Sequence, residues 1–169
     1  MAKDPSMRAL LLTAVLVSFV SGPALAKTFK LGDAKPVASI MIPDSWKPEE
    51  IDDGVEGTSK DGETYVAAEV VAAKDIKTAI DEGLAFFKKS GVKINPDTLQ
   101  KKEQKMSGFD AVALEGKGTD KDGPTHVSLT LVIISSENVL LLTYWGTATG
   151  EESNGADLNK IAASIKAAN

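Results

Sequence analysis

The chain has 169 residues, a formal net charge of −5, one histidine and no cysteine. The missing thiols exclude disulfide staples, thiol catalysis, iron–sulfur clusters and thiolate zinc sites. Arginine, the usual phosphate fork, occurs once, as Arg8, so this acidic and lysine-dependent chain lacks the cationic stripe of a nucleic-acid binder.

The head reads as an address. Met7-Arg8 gives a positive tip, residues 9–20 an apolar run, and Ala24-Leu25-Ala26 a small-residue cleavage site. That is the layout of a secretory signal peptide over residues 7–26, with cleavage expected after Ala26. The run is shorter than the roughly twenty apolar residues of a spanning helix, so no membrane span is expected in the mature chain. No cysteine follows the cleavage site, which excludes a lipidated start. Residues 1–6 carry acid and proline ahead of a second Met and read as an expression leader. Residues 27–169 then form a single periplasmic or secreted domain, long enough to bury about 70% of its unfolded surface.

Residues 27–36 read as a polar lead-in, and residues 37–42 as a strand stopped by Pro43. Residues 43–46 and Asp52-Asp53-Gly54 are turns on either side of the acids Glu49 and Glu50. A short strand over 55–59 leads to the hairpin signal Asp61-Gly62 and a strand over 64–71 with Val66, Ala68 and Val70 on one face. Asp75 is placed to cap a helix over 76–90 that Gly91 stops. Ile76, Ala79, Ile80, Gly83, Leu84, Phe86 and Phe87 share its apolar stripe. A lysine-rich outer strand over 99–105 turns at Ser107-Gly108 into a strand over 109–118. Residues 120–124 form a loop before two apolar strands, 126–134 and 139–147, covered on both faces. A polar loop over 150–155 and a helix over 157–168, with Leu158, Ile161 and Ile165 inward, close the chain. Short turns between strands mean antiparallel pairing. The expected class is α+β, a single antiparallel sheet of about six to seven strands with helices packed on it.

A strand ending in proline with tryptophan three residues on, Ile42-Pro43-Asp44-Ser45-Trp46, resembles the opening of the PsbP/Mog1-like fold family. So do the helix after the third strand, the long central hairpins and the C-terminal helix with Leu158, Ile161 and Ile165. The resemblance covers roughly residues 37–167. It implies a non-catalytic binding or accessory domain, and it carries no binding residue onto this chain by a motif.

Chemistry-bearing constellations are sparse. His126 with Ser128 and Asp110 allows a triad in principle, but no nucleophile elbow is present. Asp120-Lys121-Asp122-Gly123 lacks the later acids of a calcium loop, and one histidine beside Asp120 and Asp122 makes a poor zinc corner. Glu69 and Glu115 stand in otherwise apolar strands, where they either meet as an acid/base pair or face solvent. Tyr144 and Trp145 are adjacent on a strand and must point to opposite faces. Trp46, Tyr65, Tyr144, Trp145 and His126 are therefore the candidate ligand- or partner-binding residues, although the aromatics read first as ordinary core packing and His126 as a strand-end residue beside a loop. No catalytic residue, cofactor or metal is assigned. The functional expectation is an exported binding or accessory protein acting through a sheet face and loops on a protein partner or small ligand. The alternatives are an envelope hydrolase using His126 and a carrier of a small apolar ligand.

Overall fold

The computed structural model describes residues 26–32 and 35–168. The leader and all but the last residue of the signal segment lie outside the described residues. Ten strands and two helices follow in the order β1 (Ala26–Leu31), β2 (Ala38–Pro43), β3 (Glu49–Ile51), β4 (Gly54–Thr58), β5 (Thr64–Ala72), α1 (Ile76–Lys89), β6 (Lys93–Met106), β7 (Phe109–Asp120), β8 (Gly123–Ile133), β9 (Asn138–Thr147), α2 (Ala148–Ala163) and β10 (Lys166–Ala167).

The class is α+β, as expected. Seven strands form one sheet in the order β3-β4-β5-β9-β8-β7-β6, with every pairing antiparallel. β9 sits near its middle because Val139 to Leu142 is apolar on both faces and is buried on both. Its odd residues face α1 and its even residues face the opposite side, where α2 and a second sheet lie.

That second sheet, β1-β2-β10, is absent from the sequence expectation. Residues read as a polar lead-in form β1, in register with β2 from Ala26↔Pro43 to Leu31↔Ala38. The strand's inward signal is only two residues, Phe29 and Leu31, alternating with lysine and threonine. The expected first strand, β2, belongs here rather than to the large sheet. Its Ala38, Ile40 and Ile42 are fully buried with Trp46 and Val55 in the larger core.

On the other face α1 buries Ala79, Gly83 and Phe87 against β8 and β9. Gly83 permits the closest approach: a Cβ there would stand 2.9 Å from Leu129 Cδ2. Gly91 ends the helix at φ +84°, as its sequence position implied. Asp75 occupies the N-cap position without a side-chain cap bond.

Several boundaries move. The outer strand starts at Lys93, not Leu99, and passes Pro96 through a register irregularity between Asn95 and Gln100. The Glu49–Ile51 acidic stretch pairs with β4 as an edge strand. The expected polar loop over 150–155 is helix: α2 begins at Ala148, where the Thr147 hydroxyl accepts the Gly150 N–H at 2.9 Å. α2 ends at Ala163, and the chain leaves it as β10 beside β2.

Candidate functional site

The helix α2 carries few large apolar residues, with Leu158 and Ile161 doing most of its packing. It therefore leaves part of the sheet uncovered. Between it and the face of β6, β7 and β8 runs a groove of about 950 Å³, within the size range of small-ligand sites. Even residues of β8 and β9 supply the floor, among them Ser128, Thr130, Leu142 and Tyr144.

One end of the groove is organised by Glu151 in the first turn of α2. The Tyr144 hydroxyl donates to Glu151 Oε1 at 2.8 Å, and His126 Nδ1 lies 2.8 Å from Oε2. The position of the Tyr144 hydroxyl depends on Gly146, where a Cβ would meet it at 2.6 Å. Burial, then the bond to Glu151, push the Tyr144 phenol above its ordinary range. The His126–Glu151 contact becomes an ion pair when the imidazole is protonated. His126 stands opposite Lys117 of β7, and Ser128 opposite Glu115, which lies 3.8 Å from Lys102.

The arrangement orients a phenol and an imidazole, and among the described residues it pairs neither with a serine or threonine hydroxyl. Ser128 Oγ is hydrogen-bonded to Thr130 Oγ1 at 2.9 Å. Among the described residues no hydroxyl is bonded to the imidazole. Asp110, the third member of the conceivable triad, pairs with Lys105 at the far end of β7. Glu69 and Glu115 fall on opposite faces of the sheet, so the conceivable carboxylate pair is not formed. Asp120 is used locally, accepting the N–H groups of Asp122 and Gly123 in its turn. Among the described residues no group of three or more acids or histidines is placed to hold a metal ion. No helix among them is long and apolar enough to cross a membrane.

The five candidate residues separate into three places. His126 and Tyr144 line the groove. Tyr65 and Trp145 lie under α1, stacked with ring centroids 4.0 Å apart, and Phe86 and Phe87 tilt against Trp145. Trp46 is 1% exposed in the core and touches no surface. Tyr144 and Trp145 do point to opposite faces, each beneath a helix.

A second cleft, about 890 Å³, opens between α1 and β3–β5. It is acidic, with Asp52, Glu56, Glu69 and Glu82 on its walls. The Tyr65 hydroxyl donates to Glu56, and burial followed by that bond raises its phenol. Burial, then the neighbouring carboxylates, raise Glu69 above the usual carboxylate range.

The sequence reading missed Glu151 and Lys117. Glu151 fell in an expected loop, and only its helical placement turns it toward β8. Lys117 was legible as a cation opposite His126 only once the β7–β8 register was known.

No protein-family model and no curated protein matches the sequence. Solved structures do match by shape. CyanoP, the PsbP of Synechocystis sp. PCC 6803, superposes with a TM-score of 0.54 at 13% identity, over 88% of this chain and 96% of that one. LpqN of Mycobacterium tuberculosis gives 0.51 at 15% identity, over 85% and 92%. A protein of Bacteroides thetaiotaomicron VPI-5482 gives 0.54 at 13% identity over 85% of this chain and 48% of its own. With the sheet order and helix placement above, these likenesses establish that the chain has the PsbP/Mog1-like fold.

Proposed function

We propose that this is an exported, non-catalytic binding protein that holds a small ligand in the groove beside α2. The observation that carries the reading is the groove: about 950 Å³ over an open sheet face, with Tyr144 and His126 fixed at one end by Glu151. Side chains locked by partners of their own make a pre-organised surface, which lowers the entropic cost of binding. The concavity favours a small molecule over the flat contact of a protein partner. Export is supported by the signal-type head and its Ala24-Leu25-Ala26 site. LpqN, of similar shape, is described as involved in cell envelope biogenesis, which agrees with that address. A non-catalytic role is supported by the Ser128 hydroxyl being bonded to Thr130 and by the His126 ring meeting a carboxylate rather than a hydroxyl.

The test is native mass spectrometry of the protein recovered from the cell envelope, with a photo-crosslinking residue at Gln104 in the groove or at Lys77 on the outer side of α1. A small-molecule adduct at Gln104, absent at Lys77 and lost in Thr130→Trp, is the expected result. Adducts at both positions, or a Gln104 adduct that survives Thr130→Trp, would remove the groove from the account. His126→Ala should weaken adduct formation without abolishing it. Accumulation of an uncleaved ligand in His126→Ala, where the unaltered protein holds only a hydrolysed one, would favour the hydrolase reading.

A further inference from the structure

We propose that Asn154 is a site of spontaneous deamidation, held shut by the bonds that tie α2 to the β4–β5 hairpin, and that the completed reaction keeps the first half of the helix from docking again. Asn154-Gly155 is the one Asn-Gly pair in the sequence. The two residues supply the chemistry themselves. The Gly155 backbone nitrogen attacks Asn154 Cγ, an N–Cγ bond forms, the Cγ–Nδ2 bond breaks, and ammonia leaves carrying the Gly155 amide proton. Water then opens the five-membered imide at either carbonyl and leaves an aspartate or an isoaspartate at position 154. Glycine eases the attack because it has no Cβ in the path. The other internal asparagines are the contrast. Asn95 precedes Pro96, which has no N–H to use, and Asn138 and Asn159 precede Val139 and Lys160, whose side chains crowd the approach.

Geometry rather than burial slows the reaction. Asn154 is half-buried, and a Cβ at Gly155 would meet nothing within 4 Å, so water reaches the pair. Asn154 Nδ2 donates to Asp61 Oδ2 and to the Gly150 carbonyl, both at 2.9 Å, which uses both amide hydrogens and fixes the group. Asp61 is itself fixed by the Ser59 hydroxyl and the Glu63 N–H. Gly155 lies inside α2, where its N–H is committed to the carbonyl four residues back. Closing the imide there takes ψ at residue 154 far from the helical value of about −42°. The reaction therefore waits on local opening. The first half of α2 opens most easily, because ahead of Ile161 its one buried residue is Gly150. After the reaction, a carboxylate that only accepts stands where two N–H groups donated, facing the Asp61 carboxylate and the Gly150 carbonyl. Redocking would press like charges together, so the opening does not reverse. Glu151, three residues earlier, then loses its hold on Tyr144 and His126.

The test is ageing of the full chain at mildly alkaline pH, folded and in urea, with conversion at each asparagine read by peptide mapping and mass spectrometry. In urea, position 154 should convert first. In the folded protein it should convert at least about tenfold more slowly than in urea. Asp61→Ala should raise the folded rate several-fold and leave the rate in urea unchanged. Gly155→Ala, whose methyl meets open space, should slow conversion in both states. Asn154→Asp, which installs the product directly, should lower the melting temperature at neutral pH, and adding Asp61→Asn should recover part of the loss by removing the facing charge. Equal rates folded and in urea, a folded Asp61→Ala that converts no faster, or Gly155→Ala converting as fast as the unaltered chain would overturn the protected site. Asn154→Asp melting as the unaltered protein does, or losing stability that Asp61→Asn fails to recover, would overturn the one-way opening. If Asp61→Ala does not fold, Gly155→Ala and the Asn154→Asp pair decide the matter alone.

Discussion

Tyr144 reaches Glu151 because position 146 has no side chain, and that dependence makes the contact testable. Gly146→Ala puts a methyl where the phenol oxygen lies, 2.6 Å away, and should release it from Glu151. Tyr144→Phe removes the same bond without crowding. Urea unfolding of Tyr144→Phe should show a loss of about 1 kcal/mol, that of one net hydrogen bond, and Gly146→Ala a loss at least as large. Both tyrosines of the chain have phenols raised by burial and by a carboxylate acceptor. A raised acid keeps its proton in the fold and loses it on unfolding, so stability falls as pH climbs above the ordinary tyrosine value of about 10. An absorbance titration should therefore show phenolate only as the protein unfolds, and a phenolate step with native circular dichroism would contradict the buried placement. Phe87 is 1% exposed with its ring edge on Trp145. Phe87→Ala should cost about 3–5 kcal/mol in the same unfolding assay.

At the scale of elements, α1 and α2 differ in how they are held. α1 has the strong apolar stripe read from the sequence, and its tightest contact is Gly83 against Leu129. Gly83→Val should push the helix outward and lower the melting temperature, with near-ultraviolet circular dichroism reporting a changed Trp145 environment. α2 contains Gly, Ser, Asn and Thr through its first half, which is why propensity read it as a loop. Tertiary bonds override that preference. Asn154 Nδ2 donates to Asp61 Oδ2 and to the Gly150 carbonyl, both at 2.9 Å, tying α2 to the β4–β5 hairpin. Asp61 also accepts from Ser59, and this bond above all holds its carboxyl below the usual range. A lowered acid contributes stability above its unfolded value and loses it as pH falls through the folded one. Asp61→Asn should therefore destabilise at neutral pH and match the unaltered protein in acid, as thermal melts at the two pH values will show. The sheet and α1 were legible because their signals are local periodicities. β1 and the front of α2 were not, since each depends on a partner distant in sequence, and the same holds for the meeting of His126 with Glu151.

At the scale of the whole molecule, one central sheet separates two clefts of unlike character. The acidic cleft concentrates like charge around Glu69, whose raised carboxyl lowers stability as pH rises through its folded value. Glu69→Gln should raise the melting temperature at neutral pH and leave it unchanged well below the carboxylate range. The groove on the other face carries the mixed charge and the open floor, so a ligand-induced shift in melting temperature should respond to substitutions at Lys117 and not at Glu69. Of the five residues singled out by type, the two that line the groove were recognisable as chemistry-bearing but not as neighbours. Trp46 was misleading as a surface candidate because a large aromatic next to a turn has the same sequence signature whether it caps a core or faces water.

β1 begins at Ala26, and its first residue is already laddered to Pro43. A peptidase that severs the chain after Ala26 must thread that bond as a lone extended segment, which a zipped hairpin denies it. For the exported chain proposed above, a cut after Ala26 and closure of the β1–β2 hairpin would compete for the same few residues, so the cut would have to come first. Substitutions that speed hairpin closure should accumulate untrimmed precursor even though the scissile sequence is untouched.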